Sequence, residues 1–213
     1  MKRVIAYIDG FNLFYSSLKG TKNKWLDLWS LCSSFLKDDQ ELVEVKYFSA
    51  RVIAFNNDNS RVDNQTVYLS ALRTNPKIKI ELGFFSVKPV NMPQAKPFLE
   101  NNKIEMVEVI KTEEKGSDVN LAVSLAVDAL QDKFDYAMLF SNDSDMAKSV
   151  KIVTKVCNKR VGLYIDSKAK SFKTLKENTT HTHKINKTYF SRHQFPDSIE
   201  LSTGKIITKP KSW

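Results

Sequence analysis

Short apolar runs alternate with amphipathic segments along this 213-residue chain, and the alternation limits its fold more than any other feature. The amphipathic segments carry apolar residues at helical spacing, as in residues 10–19. Strands that alternate with helices build a mostly parallel sheet with helices on both faces, so we predict an α/β fold of three layers. The predicted strands are residues 2–8, 43–49, 78–87, 104–110, 136–140 and 161–165, and the predicted helices are residues 10–19, 26–36, 61–72, 117–131 and 144–156.

The connections between these elements carry weaker signals. The prolines of residues 88–97 predict a loop, and the charges of residues 111–116 predict a turn. Ser117 is the predicted N-cap of the helix that follows, with Asp118 in its first turn, where the helix dipole favours a negative charge.

The chain beyond residue 166 is less regular. Its pattern predicts a helix at residues 169–177 and then a polar connection in which His181 and His183 are solvated. Residues 199–208 predict a hairpin, with a turn at the Ser-Thr-Gly sequence between two short β-rich runs.

The basic charge of the chain is concentrated at its C-terminal end. The net charge is +9 at pH 7, and from residue 167 onward ten Lys and Arg residues accompany three acidic ones. Such a surface favours a polyanionic partner, although a solvated basic face without a ligand is the alternative. We therefore divide the chain into a domain of residues 1–166 and a basic C-terminal extension of residues 167–213, packed on the domain or trailing it.

The apolar runs are too short to enter a membrane. None approaches the roughly 18 to 20 apolar residues of a membrane span, and Asp9 ends the first run too early for a signal peptide. Cys32 and Cys157 lie in apolar helical patterns and, with three histidines in the chain, form no zinc-binding spacing. Free thiols are typical of a reducing compartment, so we expect a cytoplasmic protein with no membrane partner.

Four carboxylates, those of Asp9, Asp118, Asp143 and Asp145, stand where a predicted strand ends or a predicted helix begins. The carboxyl ends of parallel strands meet at one crevice, so these acids can converge in the fold. Like charges at close range repel, and a divalent cation that prefers oxygen ligands is the usual remedy. The pattern therefore predicts a Mg²⁺ or Mn²⁺ site in an enzyme that acts on phosphates. Taken singly, each acid is also explained as a helix cap.

Five further polar residues are candidates for the same site. The Asn12 amide follows the first acid closely, and Lys115 precedes a helix N-terminus, where anions are favoured. Ser141 and Asn142 follow an apolar strand directly. We expect Asn12 to act with the catalytic acids, and Lys115, Ser141, Asn142 and Arg51 to bind substrate.

Other conspicuous residues are interpreted as structural. Asp128 lies ten residues beyond Asp118, about 15 Å along a straight helix, which is too far for both to hold one ion. Aromatic residues at helical spacing are expected in the core rather than on a surface that stacks nucleobases. These aromatic residues are Phe11, Phe14, Tyr15, Trp25 and Trp29.

Several motifs extend around these residues. They are YIDGFNLFY (residues 7–15), KYFSARV (46–52), the stretch 65–72, GFF (83–85), TEEKGSDVNLA (112–122) and FDYAMLFSNDSDM (134–146). Together they resemble the NYN domain family, a branch of the PIN-like nuclease superfamily that includes LabA-type bacterial proteins. The resemblance covers most of residues 1–166.

This resemblance implies a PIN-like Rossmannoid fold, a Mg²⁺ or Mn²⁺ site and ribonuclease activity. By position it assigns the acidic and amide places of the NYN site to Asp9, Asn12, Asp118, Asp143 and Asp145. One place departs from the family pattern, because Ser124 stands where many NYN sequences have an aspartate, six residues after Asp118.

We therefore expect a metal-dependent ribonuclease that hydrolyses phosphodiester bonds, with single-stranded RNA as substrate and partner. The four acids would hold the metal, and a metal-activated water would be the nucleophile. Ser124 favours one alternative, a NYN protein that binds nucleic acid without cutting it.

Other phosphotransfer domains with a D-x-D pair fit less well. A domain of the haloacid dehalogenase type needs a carboxylate at the place of Phe11, and Toprim domains carry a glutamate on the early strand. The sequence fixes no oligomeric state, and a homodimer stays open.

Overall fold

Seven strands form one central sheet within residues 1–54, 59–94, 105–168 and 173–213, the parts of the chain that this computed structural model describes. In chain order they are β1 (Lys2–Asp9), β2 (Gln40–Ala50), β3 (Ile78–Pro93), β4 (Met106–Lys115), β5 (Tyr136–Phe140), β6 (Arg160–Asp166) and β7 (His181–Ile185). Across the sheet they follow the order β4-β3-β2-β1-β5-β6-β7, and every neighbouring pair is parallel except β3 and β4. The predicted α/β fold with a mostly parallel sheet is confirmed.

Helices cover both faces of this sheet. They are α1 (Gly10–Leu13), α2 (Leu28–Ser33), α3 (Ser60–Leu72), α4 (Ser117–Leu130), α5 (Ala147–Lys151), α6 (Lys173–Lys176) and α7 (Lys187–Arg192). Strand β1 sends Val4 and Ile8 into the core under α2 and α3, and Ile5 and Tyr7 into the core under α4 and α5. Because side chains alternate along a strand, this central strand supports both layers.

The helices differ from the prediction mainly at their ends. π-helical turns extend α1 and α5, over Phe14–Leu18 and Ile152–Val156. Helix α4 follows Gly116, which has a φ of 98° that glycine adopts readily, so the prediction of Ser117 as N-cap is wrong. Residues 169–172 of the helix predicted before α6 lie outside the described residues. None of the described helices is both long and apolar enough to cross a membrane.

Strands β3 and β4 extend further than the sequence predicts. Residues 88–93, predicted as loop, and residues 111–115, predicted as turn, lie in the antiparallel ladder between these strands. Both predictions are wrong because this part of the sheet is only two-stranded and partly exposed, where proline and alternating charges are tolerated. The rest of the predicted loop and the start of the predicted fourth strand fall within residues 95–104, outside the described residues.

His181 and His183 lie in β7, at the edge of the sheet beside β6. The His181 Nε2 atom is 3.0 Å from the Tyr136 hydroxyl, and the His183 ring stacks on Tyr164 with 5.5 Å between centroids. The prediction that both histidines lie in a loop is therefore wrong, because both belong to a strand; His181 is exposed, as predicted, and His183 is half-buried. Residue 166, the predicted domain boundary, is the last residue of β6, and the next strand, β7, pairs with β6 in the same sheet.

The C-terminal residues pack on the core under α2 and α3. The antiparallel strands β8 (Ser198–Glu200) and β9 (Ile206–Thr208) confirm the predicted hairpin. The Trp213 ring lies 5.6 Å from the Tyr68 ring of α3 and 6.2 Å from the Trp25 ring, measured between centroids. The end of the chain therefore contributes to the same core as the first helices.

A buried ion pair holds α4 against the sheet. The Asp128 carboxylate accepts hydrogen bonds from the Tyr7 hydroxyl at 2.8 Å, from the Lys133 ammonium at 2.9 Å and from the Lys46 ammonium. The Lys46 ammonium also donates to the Ser124 hydroxyl at 3.1 Å. The side chains of Lys46 and Asp128 are only 11% and 3% exposed. Because charges this deeply buried must be paired, the network fixes α4 over β1 and β2.

Replacing Asp128→Asn should lower the free energy of unfolding by about 3 kcal/mol, because the Lys46 ammonium would lose its buried counter-charge. Urea denaturation at pH 7, followed by circular dichroism, measures the loss. Asp132→Asn is the matched control, since the pairs of Asp132 with Arg3 and Lys159 lie on the surface and contribute little. Equal losses in the two variants would contradict a special role for the buried pair.

Candidate active site

Asp9 stands at the junction of β1 and α1. Its carboxylate is buried, with Oδ1 accepting from the Asn12 backbone N–H at 2.9 Å and Oδ2 accepting from the Ser141 hydroxyl at 3.0 Å. Gly10 permits the close approach of α1 to β2, because a Cβ atom there would stand 2.5 Å from the Tyr47 ring. The sequence Asp-Gly at this strand end therefore places the carboxylate at the carboxyl edge of the sheet.

The loop after β5 reaches the same place through a chain of hydrogen bonds. The Ser141 hydroxyl donates to Asp9 and accepts from the Asp143 backbone N–H at 3.1 Å. The Asn12 Oδ1 atom accepts from the Asn142 backbone N–H, also at 3.1 Å. Ser141 is buried, so its hydroxyl orients Asp9 and is not placed to contact a substrate, the role that the sequence predicts for it.

The predicted acids act on each other electrostatically. The pKa of Asp9 is raised to about 6, first by burial and then by the charges of Asp118 and Asp143, against the two hydrogen bonds that lower it. Burial also raises the pKa of Asp118, together with the charges of Asp143, Glu114 and Asp145. The structure therefore brings acids that are distant in sequence into one negatively charged group.

Two of these acids also cap helices. Asp9 is the N-cap of α1, and Asp143 is the N-cap of the 3₁₀ turn Ser144–Met146, where its Oδ1 atom accepts from the Asp145 backbone N–H at 2.9 Å. Asp145 itself is exposed. Asp9 and Asp143 are thus helix caps and also members of the acidic group, so for these two residues both interpretations of the sequence pattern hold.

Glu114, which the sequence reasoning did not single out, belongs to the same group. Its Oε1 atom accepts from the Ser117 backbone N–H at 3.2 Å, so a glutamate outside the helix occupies the start of α4. Gly83 of β3 makes room for this contact, because a Cβ atom there would lie 2.9 Å from that oxygen. The signal was an acid three residues before the helix start, inside the motif that contains Asp118.

The predicted substrate-binding cations lie in different places. Arg51 directly follows β2 at the carboxyl edge of the sheet and is exposed. Lys115 is exposed as well, but it lies on the face of β4 opposite Glu114 and is 3.6 Å from Glu113. The structure therefore does not bring the Lys115 ammonium to the carboxylates.

The acidic group has donor atoms of the kind that a hard divalent cation prefers, but its side chains are not arranged to bind one. The donors are oxygen atoms, and their mutual repulsion is what such an ion would relieve. In the described residues, however, no three His, Cys, Asp or Glu side chains are close enough together to hold a metal ion. Oxygens of Asp9 and Asp143 are turned toward backbone N–H groups at their helix starts. Binding an ion would require these side chains to turn toward Asp118.

The departure at Ser124 has a structural counterpart. Its hydroxyl accepts from the Lys46 ammonium, which also pairs with Asp128 on the next turn of α4. A fixed positive charge thus lies where many NYN sequences carry an aspartate. Asp128 is engaged by this pair, in agreement with its interpretation as structural.

The aromatic residues of the first helices divide into two groups. Trp25 is fully buried, and Phe14 and Trp29 pack against the same core, as predicted. Phe11 and Tyr15 belong to neither core, and Tyr15 is 60% exposed. The core prediction is therefore wrong for Tyr15 and for Phe11, which is half-buried against Tyr15 and Phe85 instead of within a core.

The chain belongs to the NYN domain family, whose family model matches residues 3–186. This family is of the nuclease-like PIN type. The matched region contains all seven strands of the central sheet.

An enzyme and a solved structure are among the proteins that this chain is similar to. The chain is 29% identical to 6-hydroxy-3-succinoylpyridine 3-monooxygenase HspA of Pseudomonas putida. The alignment is 238 residues long and covers 99% of this chain and 75% of that protein. A crystal structure of a Vibrio parahaemolyticus protein of unknown function superposes with a TM-score of 0.54 and 17% identity, covering 86% of this chain and 93% of that one. At that identity the second likeness concerns the fold alone.

Replacing Asp9→Asn should raise the free energy of unfolding at pH 7.5 in EDTA by about 3 kcal/mol. The folded-state pKa of about 6 lies above the usual aspartate value, so ionised Asp9 destabilises the fold. This penalty is absent below about pH 4, grows between about pH 4 and 6, and is complete above that range. Guanidinium unfolding at pH 4 and at pH 7.5 measures both limits.

Asp135→Asn is the control for this prediction. The Arg3 guanidinium lowers the pKa of Asp135 to about 2, so its ionised form stabilises the fold and its replacement should destabilise the protein at pH 7.5. A destabilised Asp9→Asn protein at that pH would show that the buried carboxylate is not a source of strain.

Proposed function

We propose that this protein is a metal-dependent ribonuclease that hydrolyses phosphodiester bonds in single-stranded RNA. The supporting observation is the acidic group at the carboxyl edge of the sheet, where burial first and then the charges of Asp118 and Asp143 raise the pKa of Asp9. Membership of the NYN family adds the nuclease-like class. The net charge of +9 suits a polyanionic substrate.

In this proposal Asp9, Asp118 and Asp143 hold Mg²⁺ or Mn²⁺, with Asp145 and Asn12 beside them. A bound ion polarises a phosphoryl oxygen and lowers the pKa of a water molecule, so no side chain has to act as nucleophile. Oxygen-only donors select these hard cations over zinc or copper.

The chain's own residues have separate tasks. The buried Ser141 hydroxyl donates to Asp9 and holds its carboxylate at the edge of the sheet. The Asn142 backbone N–H fixes the Asn12 side chain in the same way. Arg51, exposed after β2, offers a bidentate contact to a phosphate of the substrate strand.

A second candidate function is nucleic-acid binding without cleavage. The observation that favours it is the Lys46 ammonium at Ser124, because a tethered cation there replaces one acidic position of the family pattern. A purified protein that binds RNA and leaves it intact with Mn²⁺ present would support this candidate over the first.

The activity named for the Pseudomonas relative is not extended to this chain. That name belongs to the relative, and the proposal here follows the nuclease-like class of the NYN family.

Asp143→Asn should reduce Mn²⁺-dependent cleavage of a single-stranded RNA by at least about 100-fold, because loss of one ligand charge raises the barrier by roughly 3 kcal/mol. Initial rates on an end-labelled oligoribonucleotide, resolved on denaturing gels, give the ratio. Binding of the same RNA, measured by fluorescence anisotropy, should change little.

Asp132→Asn is the matched control for this activity. Asp132 lies beside Arg3 at the other end of the strands, away from the acidic group, so its replacement should not affect cleavage. Undiminished cleavage by the Asp143→Asn protein would remove the proposed function. Cleavage that persists in EDTA would remove its metal dependence.

Arg51→Ala should weaken RNA binding uniformly across sequences and reduce the slope of log affinity against log salt concentration by about 1. Anisotropy titrations at several NaCl concentrations give the slope. Lys2→Ala, at the opposite edge of the sheet, should leave it unchanged. Equal slopes for the Arg51→Ala and unmodified proteins would show that Arg51 does not contact a phosphate of the bound RNA.

A further inference from the structure

Three aromatic rings beside the acidic group lie outside both cores, and of these Tyr15 is exposed while Phe11 and Phe85 are half-buried. We name this cluster the aromatic platform, and it consists of Phe11, Tyr15 and Phe85. Phe11 and Tyr15 are nearly parallel, with 6.4 Å between centroids and 25° between planes, and Phe11 meets Phe85 edge to face at 5.8 Å. Aromatic surface left outside the core in this way is typical of binding sites.

The platform lies on the same side of the sheet edge as the carboxylates. Phe85 pairs in register with Glu114 on β4, so both side chains point to the same face. Glu114 in turn is one of the charges that raise the pKa of Asp118. On the other side, Phe11 directly precedes Asn12, whose backbone N–H binds Asp9. The platform therefore borders the acidic group from two elements.

A positive charge accompanies these rings. The Lys19 ammonium lies 4.9 Å from the centroid of the Tyr15 ring, at cation–π distance, and is exposed. Aromatic rings interleaved with a cation are the arrangement with which proteins bind single strands of nucleic acid, where bases stack on the rings and phosphates meet the cations.

We infer that the aromatic platform stacks a nucleobase of the substrate strand next to the scissile phosphate and thereby selects single-stranded over duplex nucleic acid. This inference rests on the proposed function, because it places the phosphate at the acidic group. In a duplex the bases are stacked on each other and their faces are not available, whereas an unpaired base presents its face to an aromatic ring. Stacking is tolerant of sequence, so the platform selects strandedness rather than a particular base.

The experiment measures binding of a labelled oligouridylate by fluorescence anisotropy, in an Asp143→Asn background that prevents cleavage. Tyr15→Ala should weaken binding about 5- to 50-fold, since this residue is mostly exposed and its loss removes one stacking surface. Tyr15→Phe keeps the ring and should bind within about twofold of the parent. The salt dependence should be the same in all three proteins, because no phosphate contact is removed.

Phe84→Ala is the matched control. Phe84 is 62% exposed, similar to Tyr15, but as the neighbour of Phe85 on β3 it points to the opposite face of the strand. Its replacement should leave the affinity unchanged. A duplex of the same length should bind the parent more weakly than the single strand and should be insensitive to Tyr15→Ala.

The outcomes separate this inference from the proposed function. Unchanged affinity in Tyr15→Ala, an equal loss in Phe84→Ala, or equal affinity for duplex and single strand would overturn the platform even if Asp143-dependent cleavage is observed. A protein with intact Asp143 could bind RNA through the platform and never cleave it. That result would support the inference about the platform and contradict the proposed nuclease function. A parent protein that binds no oligonucleotide would overturn both.

Discussion

The parallel pairing of β1 with β2 on one side and β5 on the other is the constraint on which the rest of the structure depends. It brings the ends of three strands to one edge, so that Asp9 lies in register with Phe48 and the loop after β5 begins beside it. Hydrogen bonds from Ser141 and to Asn12 then join these strand ends side by side. The acidic group is thus a consequence of topology, because its members are far apart in the chain.

Bringing carboxylates together in this way destabilises the folded state, and hydrogen bonds at the site offset part of that destabilisation. The Asp9 carboxylate is buried, and its two hydrogen bonds only partly compensate for the lost hydration and the neighbouring charges. Carboxylate oxygens of Asp9 and Asp143 accept hydrogen bonds from backbone N–H groups at the starts of short helical turns. The positive end of each turn stabilises the negative charge. Sites that destabilise the free protein are typical of function, since a ligand can relieve the strain.

Local patterns in the sequence predict the order of elements and the acidic strand ends well, because these depend on periodicity and on polar residues directly after apolar runs. They do not predict β7, since residues 181–185 are polar and form a strand by pairing with β6, while their histidines pack on Tyr136 and Tyr164. The continuation of β3 and β4 is missed for a similar reason, as it depends on the pairing between two distant segments.

The candidate site shows the same limit of local patterns. The place of Lys115 depends on which face of a strand it occupies, and the role of Glu114 depends on the close approach that Gly83 permits. Both are tertiary properties that no spacing along the chain reveals. Phe11 and Tyr15 have a helical period that looks like a core stripe, and only their burial in the folded chain shows that Tyr15 faces solvent and Phe11 is half-buried.

The ammonium of Lys46 has a further consequence for the behaviour of the protein in a changing ionic environment. Because this cation is covalently part of β2, it stays beside Ser124 and Asp128 whatever the concentration of dissolved salts. The scaffold of α4 is therefore assembled before any diffusible ion arrives. In the proposed metal-dependent enzyme, loss of the ion would remove activity and leave the Lys46–Asp128 pair under α4 intact.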